Sequence, residues 1–224
     1  MPAWAEQDAG LKSESKSELS GAAQRAAAGS LSIATLRERH WGQKICTLGP
    51  RASDSAVTAA ALTDNLELLP SFPEAMRSAH ENAQVALMCC GYVADETLHD
   101  EHTGASNWVG LHFEYYGRMV CYEVFVVPIM PMCLARKKKA RGNTLVLHPA
   151  TRRLLQRPEF AQHFEGPMQI HTVPSKPCGV QATARGQFDY CVGSLPNVQA
   201  HPELEVLQTI EPNMIWALYR RTVG

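Results

Sequence analysis

The alternation of short apolar runs with helical stretches starts twice in this chain, once at Ile45 and again at Thr144. Each start reads strand, proline-bearing turn, helix, strand, helix, strand. In the first, Ile45-Cys46-Thr47-Leu48 has the length and apolar content of a buried strand. Gly49-Pro50 stops it, and Ser53, Asp54 and Ser55 offer N-cap chemistry to an alanine-rich helix that runs to Leu62. Strands at Leu66–Leu69 and 84–89 then enclose a helix over 73–81, with Ser71 as its cap. In the second, a strand at Thr144–Leu147 leads into a helix over 152–164, which Pro158 splits or kinks. A strand at 168–173, a helix over 177–185 with proline in its first turn, and a strand at 189–193 follow. Strands at Leu204–Ile210 and 215–220 close the pattern. Such alternation implies an α/β fold with largely parallel sheet. Two similar lobes joined by a long extended segment, 120–134, form a clamp, with the ligand in the crevice at the strand carboxyl ends. Pro128 and Pro131 forbid a central, fully paired strand along the whole of that segment.

Four turns then face one cleft: Pro50 to Ser55, Cys89-Cys90-Gly91-Tyr92, His148-Pro149-Ala150-Thr151, and Pro174-Ser175-Lys176-Pro177-Cys178-Gly179. A strand that turns tightly into a helix start aims free N–H groups and the positive end of the helix dipole at one spot. That suits a carboxylate or phosphate, although the same stretch also serves as a plain helix cap. Ser175 can act as cap and as ligand contact, and Lys176 adds a positive charge beside it. His148 reads as a structural histidine or as a site group. Cys90 and Cys178 qualify as nucleophiles only if a helix start lowers their pKa, and neither has a paired histidine in evident reach.

Composition narrows the classes. The net charge is −1, which gives no footprint for a nucleic-acid partner. The basic run Arg136-Lys137-Lys138-Lys139-Ala140-Arg141 lacks interleaved aromatic residues and reads as a solvated loop. No apolar stretch reaches membrane-spanning length, and residues 1–42 read as a disordered or weakly helical extension without a secretory signal. The odd cysteine count, 7, with Cys46, Cys89, Cys121, Cys133 and Cys191 in apolar runs, fits reduced core thiols in the cytoplasm. His99-Asp100-Glu101-His102 with His112 has metal-like composition but no closed zinc spacing, so no metal is expected. The stretch 112–116 reads as an aromatic strand edge suited to a partner subunit.

In the order and spacing of its turns, the chain resembles the catalytic domain of prephenate dehydratase over residues 45–221. The family's opening GP-x-G-T-x-S turn is matched by Gly49-Pro50-Arg51-Ala52-Ser53-Asp54-Ser55. Its Thr-His-Pro-x-Ala turn is matched by Leu147-His148-Pro149-Ala150, and its Ser-Thr-Ala-Ala-Ala helix start, loosely, by Ser175-Lys176-Pro177-Cys178-Gly179. The resemblance implies a two-lobed clamp of the periplasmic-binding-protein type II kind. Lobe one would comprise 43–118 with 206–224, and lobe two 119–205. It also implies a homodimer. Two motifs depart from the family. The closing Thr-Arg-Phe, whose Thr is tied to loss of the ring hydroxyl, is Met214-Ile215-Trp216 here, and the Pro-Ile-Glu-Asn-Ser turn is Met88-Cys89-Cys90-Gly91-Tyr92. These departures resemble the non-aromatising prephenate decarboxylases of bacilysin-type antibiotic pathways.

That resemblance implies a cofactor-independent enzyme acting on the small molecule prephenate. CO2 would leave, a ring carbon would take a proton, and the hydroxyl would stay. The pyruvyl carboxylate would lie at helix-start N–H groups and hydroxyls, with Ser53, Ser55 and Ser175 foremost. Arg51, Cys90, Thr151, Lys176, Cys178 and Met214 complete the expected binding set. His148 and Tyr92 are the candidate proton donors by chemical type. Competing readings are a prephenate dehydratase, a catalytically silent homologue, and a non-catalytic small-anion-binding protein, since ligand carriers and effector-sensing domains use the same clamp.

Overall fold

The computed structural model describes residues 32–94 and 107–223. The chain divides into two units, Met1–Ser32 and Ile33–Gly224, and the fold below is that of the second. The metal-like stretch 99–102 and most of the expected N-terminal extension lie outside the described residues.

Lobe one begins with α1 (Ile33–His40), which belongs to the compact unit rather than to an extension ending at residue 42. Leu36 and His40 are buried, and His40 Nε2 and Arg39 Nη1 contact the two carboxylate oxygens of Glu123 at 2.6 and 2.7 Å. Then come β1 (Ile45–Leu48), α2 (Asp54–Leu62), β2 (Leu66–Leu69), α3 (Phe72–Glu81) and β3 (Val85–Cys89). Ser71 accepts from Glu74 N–H and caps α3, as its position predicts. Next is α4 (Trp108–Glu114), which overturns the expected strand at 112–116. Asn107 caps it by accepting from Gly110 N–H at 2.9 Å, and Leu111 anchors it in the core. With β4 (Met119–Pro128) and the final β10 (Asn213–Arg221), the sheet order is β2-β1-β3-β10-β4.

Lobe two repeats the arrangement. Its elements are β5 (Met132–Lys137), β6 (Thr144–Leu147), a 3-10 helix (Pro149–Gln156), α5 (Pro158–Ala161), β7 (Gln169–Thr172), α6 (Lys176–Ala184), β8 (Tyr190–Ser194), α7 (Leu195–Gln199) and β9 (Leu204–Ile210). The split expected at Pro158 occurs: the 3-10 helix ends and α5 begins there. The sheet order is β7-β6-β8-β5-β9. In each sheet the first three strands of that order are parallel, the fourth (β10 in lobe one, β5 in lobe two) runs antiparallel to them, and the last (β4 or β9), paired antiparallel with the fourth, runs in the direction of the first three. This is an α/β two-lobed clamp of the periplasmic-binding-protein type II kind, as expected.

The two connections between the lobes lie side by side. One passes from β4 to β5 through 129–131, the other from β9 to β10 through 211–212, and Ile129 N–H donates to Pro212 O at 3.1 Å. The first lobe boundary therefore falls at 129–131, not at 118, and the second at 211–212, not at 205. Pro128 and Pro131 bracket the first connection, where the missing amide donors end the pairing. Each lobe has its own core, around Phe72, Met76, Met88 and Tyr219 in lobe one and around Val146, Val180, Cys191 and Val198 in lobe two.

Candidate functional site

The parallel strands of both sheets point their carboxyl ends at a cleft of about 240 Å³ between the lobes. Leu48 and Cys89 reach it from the ends of β1 and β3, and Ser194 from the end of β8. Its walls are mainly apolar, with Phe72, Ile129, Met132, Ile210, Met214 and Trp216 prominent. Ile129, Met130 and Pro212 of the connecting segments also line it.

Of the residues expected at a site, Ser53, Ser55, Tyr92, His148, Thr151, Ser175, Lys176 and Met214 line this cleft. Arg51, Cys90 and Cys178 do not. Arg51 and Cys178 are exposed, and Cys90 packs against the lobe-one core. At the end of β3 it is Cys89, one residue earlier, that faces the cleft.

The two helix starts differ in how their caps are used. Ser53 Oγ accepts from Ala56 N–H at 3.1 Å and donates to Leu48 O at 3.0 Å, so this hydroxyl is a helix cap first. Ser175 occupies the N-cap of α6 but makes no cap hydrogen bond; its hydroxyl points to Cys178 Sγ at 3.0 Å. The first-turn donors of α6 therefore lack a side-chain cap, and Lys176 stands beside them.

Side chains of lobe two reach across the cleft to lobe one. Lys176 Nζ forms an ion pair with Asp54 Oδ2, at the start of α2. Asn197 Nδ2, in α7, donates to Ala52 O at 3.2 Å. Asp54 is a cleft residue that sequence reasoning used only as a cap; its position one residue inside the helix was the available signal. Met214 packs on the turn after β3: a Cβ on Gly91 would lie 3.2 Å from Met214 Sδ, so the glycine lets the strand and turn approach. Trp216 sits two residues further along β10 on the same face.

His148 Nδ1 accepts from Ala150 N–H at 3.3 Å, which places the ring proton of the neutral imidazole on Nε2. Burial pushes the Tyr92 hydroxyl above its ordinary pKa, and its ring packs edge-on against Phe72 at 5.1 Å. Burial also pushes Cys89 up to about 11 and Cys90 up to about 12, which keeps both as thiols. Among the described residues no group of His, Cys, Asp and Glu is arranged to hold a metal ion, and no helix is long and apolar enough to cross a membrane.

No protein-family model matches the chain, and no curated protein matches it. Solved structures do. Prephenate dehydratase from Arthrobacter aurescens, crystallised with L-Phe, superposes with a TM-score of 0.54 at 11% identity over 81% of this chain and 60% of that one. A protein described as a novel type of quorum quenching acylase gives 0.51 at 12% identity over 81% and 65%. Prephenate dehydratase from Staphylococcus aureus gives 0.50 at 8% identity over 79% and 66%. The chain thus spans less than two thirds of the length of the first two, and about two thirds of the third. At these identities the likeness is one of fold.

Proposed function

We propose that this protein is a clamp that closes on a small organic anion with an apolar body. The observation that carries this reading is the cleft itself. Apolar walls from both lobes meet the uncapped start of α6, with Ser175 and Lys176 beside it. A ligand carboxylate would accept from those helix-start N–H groups and from Ser175 Oγ, and the methionine, isoleucine and tryptophan walls would hold its carbon frame. The clamp architecture serves enzymes and ligand carriers alike, so binding stands first and chemistry second.

The chemical reading is decarboxylation of prephenate without aromatisation. Met214 favours it over dehydration, because a thioether cannot assist hydroxide loss as a threonine hydroxyl can. In such a step the bond to the ring carboxylate breaks, its electron pair enters the ring π system, and a ring carbon takes a proton. Burial raises the Tyr92 hydroxyl above its ordinary pKa and so weakens it as a proton donor, which favours binding over turnover or leaves another group or water as the proton source. The test is to incubate the full chain with prephenate at neutral pH while following binding by calorimetry and products by mass and absorbance. Binding without turnover is the outcome for a pure clamp. A product that has lost CO2 and kept its hydroxyl establishes the decarboxylase. Absence of binding rejects prephenate as the ligand.

A further inference from the structure

Buried polar atoms are nearly always hydrogen-bonded, and those that are not call for an explanation. Among the described residues, Asp54 Oδ1, Ser194 Oγ and Trp216 Nε1 are buried without a hydrogen-bond partner, as are Trp108 Nε1 and His163 Nε2 elsewhere, and the first three residues line the same cleft. Their chemistry is complementary. A carboxylate oxygen only accepts, an indole N–H only donates, and a hydroxyl does either. Together they are set to meet a ligand that offers at least one donor and one acceptor beyond any carboxylate held at α6.

The charge state narrows the donor. Asp54 Oδ2 is already engaged by Lys176, with the two side chains only 11% and 15% exposed. A ligand ammonium at Oδ1 would add a second cation beside Lys176 where water screens little. A neutral hydroxyl satisfies Oδ1 without that repulsion, and its own oxygen can still accept. We infer that the cleft reads a hydroxyl group on its ligand: the hydroxyl donates to Asp54 Oδ1, and Trp216 Nε1 and Ser194 Oγ donate to ligand oxygens. This rests on the small-anion reading above and deepens it.

The experiment uses two probes that differ by one hydroxyl, 4-hydroxyphenylpyruvate and phenylpyruvate, titrated calorimetrically into the full chain. A site built to hydrogen-bond a hydroxyl discriminates strongly against the analogue lacking it. We expect 4-hydroxyphenylpyruvate to bind at least about tenfold tighter. In Asp54→Asn the ratio should fall to about threefold or less, because a charge-assisted hydrogen bond becomes a neutral one. Effects of that substitution on the Lys176 pair act on both probes and cancel in the ratio. Equal affinities in the natural chain overturn the inference while leaving the clamp reading intact, the three atoms then being served by water. Tighter binding of L-tyrosine than of either keto acid also overturns it, by putting an ammonium at Asp54. If no probe binds, the clamp reading falls with it.

Discussion

Lys176 at the start of α6 and Asp54 at the start of α2 are 122 residues apart and form an ion pair that ties lobe two to lobe one. Both side chains are largely buried, so each charge depends on the other for solvation lost in the cleft. Replacing the lysine alone leaves a carboxylate among apolar walls. Lys176→Met should cost about 3 kcal/mol in denaturant unfolding, and Asp54→Asn combined with it should recover most of that. Small-angle scattering should also show a larger radius for Lys176→Met, because only the Asn197–Ala52 hydrogen bond would remain of these two ties. Unchanged stability in the single variant would mean that the pair is not formed in solution.

The two cap serines should separate stability from binding. Ser53 Oγ both caps α2 and donates to Leu48 O, so Ser53→Ala should lose about 1 kcal/mol or slightly more of stability. Ser175 makes no cap bond, and Ser175→Ala should shift stability by only about 0.5 kcal/mol or less. Its effect should appear instead as weaker binding of a carboxylate probe. The reverse ranking would move the anion contact from α6 to α2.

Met214 lines the cleft where the dehydratase resemblance places a threonine. If that side chain is what separates hydroxyl retention from hydroxyl loss, Met214→Thr should produce phenylpyruvate from prephenate, read as its enol absorbance in base. The smaller residue also removes the sulfur that packs over Gly91 and should cost about 1–2 kcal/mol. A variant that folds, binds prephenate and yields no phenylpyruvate shows that the missing hydroxyl is not the sole determinant.

Thiol chemistry should single out one cysteine. Burial pushes Cys46 and Cys89 up to about 11, and Cys90, Cys133 and Cys191 up to about 12. It also raises Cys121. Cys178 is the exposed one. Brief alkylation at neutral pH followed by peptide mass mapping should modify Cys178 first, since thiolate fraction and access set the rate. Rapid modification of Cys90 would revive it as a nucleophile.

The doubled start at Ile45 and Thr144 made the two lobes legible, because apolar period and proline–glycine punctuation are local signals. Helix starts at Ser53, Ser71 and Ser175 were legible for the same reason. Side-chain parity at the end of β3 was not: Cys89 and Cys90 are chemically identical, and only the strand register turns one to the cleft. Nor was the partnership of Asp54 with Lys176, which exists only after the connecting segments fold the lobes together. The helix Trp108–Glu114 was missed because its aromatic, glycine-bearing sequence carries weak helix propensity, and packing of Leu111 decides it. The lobe boundaries were missed because β4 and β5 form one apolar run whose break is set by Pro128 and Pro131.

Asp189 should make stability depend on pH in a defined direction. Burial alone would raise its pKa, but three hydrogen bonds outweigh that and hold its carboxyl below the ordinary range. They come from Thr144 Oγ1 at 2.5 Å, Thr144 N–H at 3.1 Å and Gly142 N–H at 3.2 Å. A Cβ on Gly142 would collide with the carboxylate, so the glycine belongs to the same motif. Because the folded value is depressed, the charged form stabilises the native state. That contribution is complete above the unfolded pKa of about 3.9 and is lost as pH falls through the folded value. Asp189→Ala should therefore be less stable than the natural chain by about 2 kcal/mol near pH 7, with the gap narrowing only below about pH 4. Urea midpoints measured across that range check it. A gap that stays constant down to acid unfolding would mean the carboxylate is not ionised in the fold, and one that widens would reverse the sign of the shift.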